Sequence, residues 1–163
     1  MEPRRFVMAS RPGSIARWMP ALLLALAGAP AWAVLGGDAA ALPAEQTRMQ
    51  AVRTTASTGS GATVHELRLP DGGAIRQFVN AQGIVYAVAW STRLKPDFAQ
   101  LLGRHEADFT AGVAALRRPG LQRSANVDRG DLVVQSAGHP GAFVGKAWLK
   151  SQMPANATVD AIR

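Results

Sequence analysis

The sequence predicts an α+β protein: an antiparallel sheet of about five strands, one long helix packed on a face of it, and a short helix ahead of both. Three observations carry this expectation. Apolar runs rich in β-branched and aromatic residues, separated by turn residues, crowd between Thr63 and Trp90. One stretch from Phe98 to Leu116 instead repeats its apolar residues at three- and four-residue steps, and two more strand-like runs follow it. Strands grouped apart from the helix argue against a series of βαβ units.

The chain opens with the three parts of an export signal in the right order. Arg4, Arg5, Arg11 and Arg17 form a basic segment, Ala21–Ala29 is a short apolar run, and Ala31-Trp32-Ala33 is an A-x-A cleavage site. The apolar run is well short of the roughly 20 residues that span a bilayer, so no permanent membrane anchor is expected. Translation starts at Met1 or Met8; either start keeps Arg11 and Arg17. Phe6-Val7-Met8 after Arg4-Arg5 fits a twin-arginine signal poorly, so general secretion to the periplasm or the medium is the expected route. Residues 1–33 are therefore read as a signal peptide and residues 34–163 as a single mature domain beginning at Val34.

Composition narrows the function classes. The full chain of 163 residues carries a formal charge of +7. Removing the leader takes away four Arg and one Glu and leaves 14 basic and 10 acidic residues, a mild and scattered excess. Arg117, Arg118, Arg123 and Arg129 have no aromatics between them and follow a helix, which reads as a solvated loop and not as a nucleic-acid surface. There is no cysteine. That excludes a disulfide framework, a thiolate metal site and a lipid-modified N-terminal cysteine, and leaves the hydrophobic core to hold the fold.

Along the mature chain, Pro43 and Glu45 suit the first turn of a helix from about Pro43 to Arg53, with Leu42, Met49 and Val52 as a thin apolar stripe. Thr54–Ala62 is Ser/Thr/Gly-rich and reads as a loop. Thr63–Leu69, Ala74–Asn80 and Ile84–Trp90 are strand candidates joined by Pro70-Asp71-Gly72-Gly73 and Ala81-Gln82-Gly83, the composition of an antiparallel meander. Pro96-Asp97 opens the long helix. Phe98, Leu101, Leu102, His105, Phe109, Val113 and Leu116 form its stripe, and Pro119-Gly120 stops it. Gly103 and Gly112 each cost about 1 kcal/mol relative to alanine inside a helix, which implies close approach to another backbone. After a polar loop, Asp131–Ser136 and Ala142–Leu149 are two strands joined by Ala137–Gly141.

The pattern resembles a known family. Leu35-Gly36-Gly37 after a signal peptide, Val64-His65-Glu66-Leu67, Ala87-Val88-Ala89-Trp90, Leu101-Leu102-Gly103, and Asp131-Leu132-Val133-Val134 leading to Gly138-His139 occur in the order seen in the exported proteobacterial proteins known as domain of unknown function 2844. The resemblance implies export, one domain and a Gram-negative source. It brings no activity and no site residues. This chain departs from the expected pattern at Pro140, where a non-proline residue would follow the histidine.

No constellation of catalytic residues stands out. His65 and His105 fall on apolar faces, where a histidine is more often a hydrogen-bonded core residue than a ligand, and His139 lies in a Gly/Pro turn. No pair has the spacing H-x-H or H-E-x-x-H, so a metal site would need the fold to bring all three together. There is no G-x-S-x-G around Ser91, Ser136 or Ser151; Asp131, Ser136 and His139 share one segment but are equally well explained as strand and turn residues. Gly36-Gly37 and Gly72-Gly73 lack the Lys and following helix of a phosphate loop. No cofactor is expected.

Two readings from different classes follow. The first is a non-catalytic exported module that binds an envelope protein or ligand. The second is a small hydrolase or metal-dependent enzyme centred on His139. The first rests on alternation along Ile84–Trp90. If the small face of Val85, Ala87 and Ala89 meets the long helix, Tyr86, Val88 and Trp90 turn the other way, joined there by Val144, Lys146 and Trp148. The expected site is a partly covered aromatic groove, with Tyr86, Trp90, Trp148 and His139 as binding residues and the helix Pro43–Arg53 folding over part of it.

Overall fold

A computed structural model describes residues 35–57, 62–116 and 123–163. The leader, the tip of the Ser/Gly-rich loop and Arg117–Gln122 with Pro119-Gly120 lie outside the described residues. Among the described residues, seven strands form one antiparallel sheet: β1 (Val52–Ser57), β2 (Thr63–Arg68), β3 (Ala74–Val79), β4 (Val85–Thr92), β5 (Ser124–Arg129), β6 (Leu132–His139) and β7 (Ala142–Leu149). Their order across the sheet is β1-β2-β3-β4-β7-β6-β5. Two meanders, β1–β4 and β5–β7, therefore meet at the β4–β7 seam. The central strand is the apolar run within Ile84–Trp90, and every residue from Val85 to Trp90 is buried.

The α+β class stands, with seven strands in place of five. The two extra strands lie in segments read as loop. Val52–Ser57, expected to end a helix and begin a Ser/Thr loop, pairs along its whole length with β2. The preceding helix α1 is only Leu42–Arg48; it ends at Gln50, the one non-glycine residue with positive φ among those described. Ser124–Arg129 pairs with β6 across a tight turn at Gly130. Both are edge strands, polar on one side because one face is open to water, and this polarity is what makes them look like loops.

The long helix is also broken. α2 (Phe98–Leu102) is capped by the Asp97 carboxylate, which accepts from Gln100 N at 3.2 Å. Gly103 then takes φ +53, a 3₁₀ turn follows, and α3 (Glu106–Ala115) continues. Gly103 thus serves a change of direction, for which only glycine is unstrained. Gly112 is the glycine that permits close approach, because a Cβ there would lie 2.3 Å from Cγ1 of Val127 on β5. The apolar stripe is correct across the break. Leu101, Leu102 and Phe109 enter the core with Phe98, Val113 and Leu116 packed against it.

One bulge decides which side of the sheet each β4 residue faces. Val79 pairs with Val85 and Phe78 with Ala87, so Tyr86 is the extra residue. Val85 faces the helices and Tyr86 faces away, as alternation expects. Beyond the bulge the parity inverts. Val88 and Trp90 join the helix-side core with Leu42, Leu101, Leu102 and Phe109, whereas Ala87 and Ala89 join Tyr86 on the other side. The large face of β4, and not the small one, meets the helices. Room for it comes from β7: Trp90 pairs with Gly145, where a Cβ would sit 2.4 Å from the indole ring.

The covering of the second face also differs from expectation. α1 lies on the helix side with Leu42 in that core. The far face is covered by the segment after β7, whose Met153, Ala157, Val159 and Ile162 pack on Phe78, Tyr86 and Trp148. The sheet is sandwiched between helices and an irregular C-terminal strap.

Candidate functional site

The register sorts the far face of the sheet into three rows running across the strands. Directly opposed residues on an antiparallel pair share a face. The first row is apolar: Val64, Phe78, Ala87, Trp148 and Val133. The second is polar: Glu66, Arg76, Ala89, Lys146, Gln135 and Asn126. The third is small: Ala74, Ser91, Val144, Ala137 and Ser124.

The strap covers the first row and is fixed along its boundary with the second. Asn80 Nδ2 donates to Gln152 O at 3.1 Å, Lys146 Nζ to Val159 O at 2.8 Å, and Arg76 Nη1 to Arg163 O at 2.7 Å. Burying Ile162 and Trp148 is what makes these carbonyls available at fixed positions; the cations then satisfy backbone acceptors that lack secondary-structure partners. Lys146 Nζ also stands 5.9 Å from the Trp148 ring centroid, a cation–π contact.

The second and third rows are left open and form a groove of about 640 Å³. Its floor is small, with Ala74, Ala89, Ala137 and Gly145; Arg76, Lys146, Gln135, Asn126, Ser91 and Ser124 supply polar groups, and Ile162 and Arg163 of the strap border it. Val144 is 48% exposed there. Among the described residues the side chains lining the groove include three cations and no acid. Glu66, in the same row, is held by Arg76 and Arg68, each at 2.7 Å, and these contacts, the Arg76 hydrogen bond foremost, keep its carboxyl below the usual range against the effect of burial.

The expected site residues are not brought together. Tyr86 and Trp148 share the apolar cluster under the strap, 2% and 7% exposed, while Trp90 lies on the opposite side, 3% exposed and edge-on to Phe98. Burial raises the Tyr86 phenol pKa. The aromatic groove is therefore core, split between two faces by the bulge. His139 is exposed in the β6–β7 turn, its Nδ1 3.0 Å from Pro140 O. Pro140 is accommodated because Gly141 takes φ +94, the pairing of proline and glycine found in type II turns.

The same geometry separates the catalytic candidates around His139. Asp131 lies at one end of β6, where its carboxylate accepts from Ser151 N and Oγ at 2.7 Å each, and His139 at the other end, about 25 Å away at the rise of a strand. Ser136 and His139 differ by an odd number of residues and point to opposite faces. Among the described residues, no group of three or more His, Asp or Glu side chains could hold a metal ion. His65 is 3.0 Å from Thr55 Oγ1 at the β1–β2 edge, and His105 sits beside Arg104. Partial burial first, then the neighbouring arginines, lowers both imidazole pKa values.

A second ionisable feature lies on the helix side. Glu45 of α1 is 2% exposed; Gln77 Nε2 donates to its Oε2 at 2.9 Å, and Oε1 is buried with no hydrogen-bond partner among the described residues. Burial pushes its pKa up to about 7 against the opposing effects of Gln77 and Arg48. It is sealed in the core and out of reach of a ligand.

Sequence reasoning missed Arg76, Gln135, Asn126, Ser91 and Ser124. The only available signal was polar alternation along Ser124–Arg129 and Gln135–Ala137, which becomes informative once both are known to be strands. No curated protein and no solved structure matches the chain. No helix among the described residues is long and apolar enough to cross a membrane. The family described as protein of unknown function DUF2844 matches residues 31–162, and the chain belongs to that family.

Proposed function

We propose that the protein is an exported, non-catalytic binding module, and that the groove on the far face of the sheet is its binding site. The observation that carries this reading is a groove over small side chains, flanked by polar groups of which Arg76 and Lys146 are held by hydrogen bonds, with a volume typical of ligand sites. Export after cleavage behind Ala33 rests on the leader pattern alone. Intact mass of the periplasmic protein is expected to start at Val34; full-length chain retained in the cytoplasm would contradict it.

The binding reading is tested by closing the groove. Ala89 opposes Lys146 at the centre of the floor, so Ala89→Leu places a side chain where the ligand would lie while leaving the helix-side core untouched. A panel of small polar molecules screened by thermal shift should yield compounds that stabilise the wild-type protein and lose their effect on Ala89→Leu. Equal stabilisation of both proteins, or a panel without effect on either, would contradict the reading.

A further inference from the structure

We infer that the groove takes a small hydroxylated molecule bearing an anionic group, a carboxylate or a phosphate, and that Lys146 and Arg76 receive that group. This rests on the binding reading above and deepens it. Among the described residues the lining side chains include Arg76, Lys146 and Arg163 and no acidic one. Arg76 is already paired with Glu66 and bonded to Arg163 O, so of the two central cations Lys146 is the one without a carboxylate partner.

Both central cations keep donors in hand. Lys146 gives one N–H to Val159 O and has two more; Arg76 gives Nε to Glu66 and one Nη1 hydrogen to Arg163 O, and retains the rest of its five. They flank Ala89, itself 5% exposed, on adjacent strands in the register Arg76–Ala89–Lys146, so both border the same stretch of the groove. The strap fixes them there in advance, which spares a ligand the cost of ordering two long side chains.

Beyond the cations, Gln135 and Asn126 continue the row, and Ser91 and Ser124 lie in the next one. Amides and hydroxyls both donate and accept, which suits a ligand body carrying hydroxyl groups. Among the described residues no aromatic ring is open to stack in the groove: Trp148 and Tyr86 lie under the strap, and Trp90, though its residue lines the groove, is 3% exposed with its ring edge-on to Phe98 on the helix side. Recognition of a flat apolar ring is therefore not what this floor offers. The volume and the bounding strap fit a molecule of one or two sugar units better than an extended polymer.

The test is a titration of the protein with glucose 6-phosphate, glucuronate and glucose, followed by amide shifts of Ala89, Ser91, Gln135 and Lys146. Both anions should give saturable shifts at these residues that weaken with added salt, and glucose should give none. Lys146→Gln should weaken binding about tenfold or more, the scale of a lost hydrogen bond to a charged group, while Lys146→Arg retains most of it. Arg76→Gln should weaken it as well, with the strap signals of Val159 and Ile162 reporting whether the fold survives.

Groove shifts of equal size with glucose would overturn the anion assignment and leave the binding reading standing. Absence of saturable shifts with all three would overturn it too, with Ala89→Leu deciding separately whether the groove binds anything. Unsaturable shifts spread over exposed arginines would show counter-ion screening only and equally overturn it. Sedimentation with phosphatidylglycerol vesicles, without any response to the free anions, would move the charge onto a membrane surface and contradict a small-molecule ligand.

Discussion

The two faces of one sheet are built in opposite ways. On the helix side, large residues of the central strand, Val88 and Trp90, project toward α1, α2 and α3, and glycines on neighbouring elements make the space. Gly145 admits Trp90, Gly138 admits Phe143 and Gly112 admits Val127, each with a missing Cβ that would lie within 2.6 Å of the side chain it accommodates. On the far side the central strand is small, and its large partners come from β3 and β7 as Phe78 and Trp148. That face is closed over one row by an irregular strap and left open over the next. The helix side fixes the shape of the sheet, and the incomplete cover of the far side leaves part of the sheet open. A one-residue bulge at Tyr86 assigns the faces.

The contrast is broken most forcefully at Gly145. Gly145→Leu would drive a side chain into the Trp90 ring and against Gln135 O, 2.5 Å from the added Cβ, and backbone cannot shift cheaply. It should cost at least about 3 kcal/mol, at the upper end of overpacking effects, with chemical denaturation as the measurement. Ala89→Leu, one strand over but on the other face, meets side chains of the strap cluster instead of backbone and should cost less, about 1 kcal/mol. Equal costs would mean that the faces are not distinguished as described.

Ile162→Ala comes next. The side chain is 1% exposed against Phe78, Tyr86 and Trp148, so the loss should be about 3 kcal/mol, with increased access of a quencher to Trp148. A change within experimental error would mean that the strap adds little.

Glu45 sharpens the helix side through pH. Its folded pKa of about 7 lies above the ordinary 4.5, so between these values the native state holds a proton that the unfolded chain has released. This contribution to stability is fully present below about pH 4.5 and is lost as pH rises to about 7. Glu45→Gln should therefore be near neutral at pH 4.5 and more stable than wild type at pH 8 by on the order of 2 kcal/mol. A pH-independent difference would contradict a neutral buried carboxyl.

The smallest effect is at the helix start. Asp97→Ala removes the acceptor for Gln100 N and should cost about 1 kcal/mol without disturbing the far face. A shift in groove signals would show that the two faces are coupled.

Much of the fold was legible because burial writes periodicity into sequence. The run Val85–Trp90, the meander around it, the stripe from Phe98 to Leu116 and the hairpin after Asp131 all announce themselves through apolar spacing. The edge strands do not. Val52–Ser57 and Ser124–Arg129 carry polar residues toward water and only a few apolar ones inward, a composition shared with loops. The bulge is invisible for a different reason: nothing in Val85-Tyr86-Ala87 marks which residue will be left unpaired, and strict alternation then misplaces everything beyond it. This put Trp90 on the wrong side and turned two halves of a core into an apparent groove. The open groove was illegible in turn, because Arg76, Lys146, Gln135 and Asn126 are neighbours only through pairing of five strands.

Paramagnetic broadening of alanine methyl signals by a soluble agent tests the comparison most directly, with three residues reporting on three environments. Ala137 of the open row should broaden strongly, while Ala147 on the helix side and Ala87 beneath the strap, both 0% exposed, should be spared. Protection of Ala137, or broadening of Ala87 to the same extent, would contradict a face that is closed over one row and open over the next.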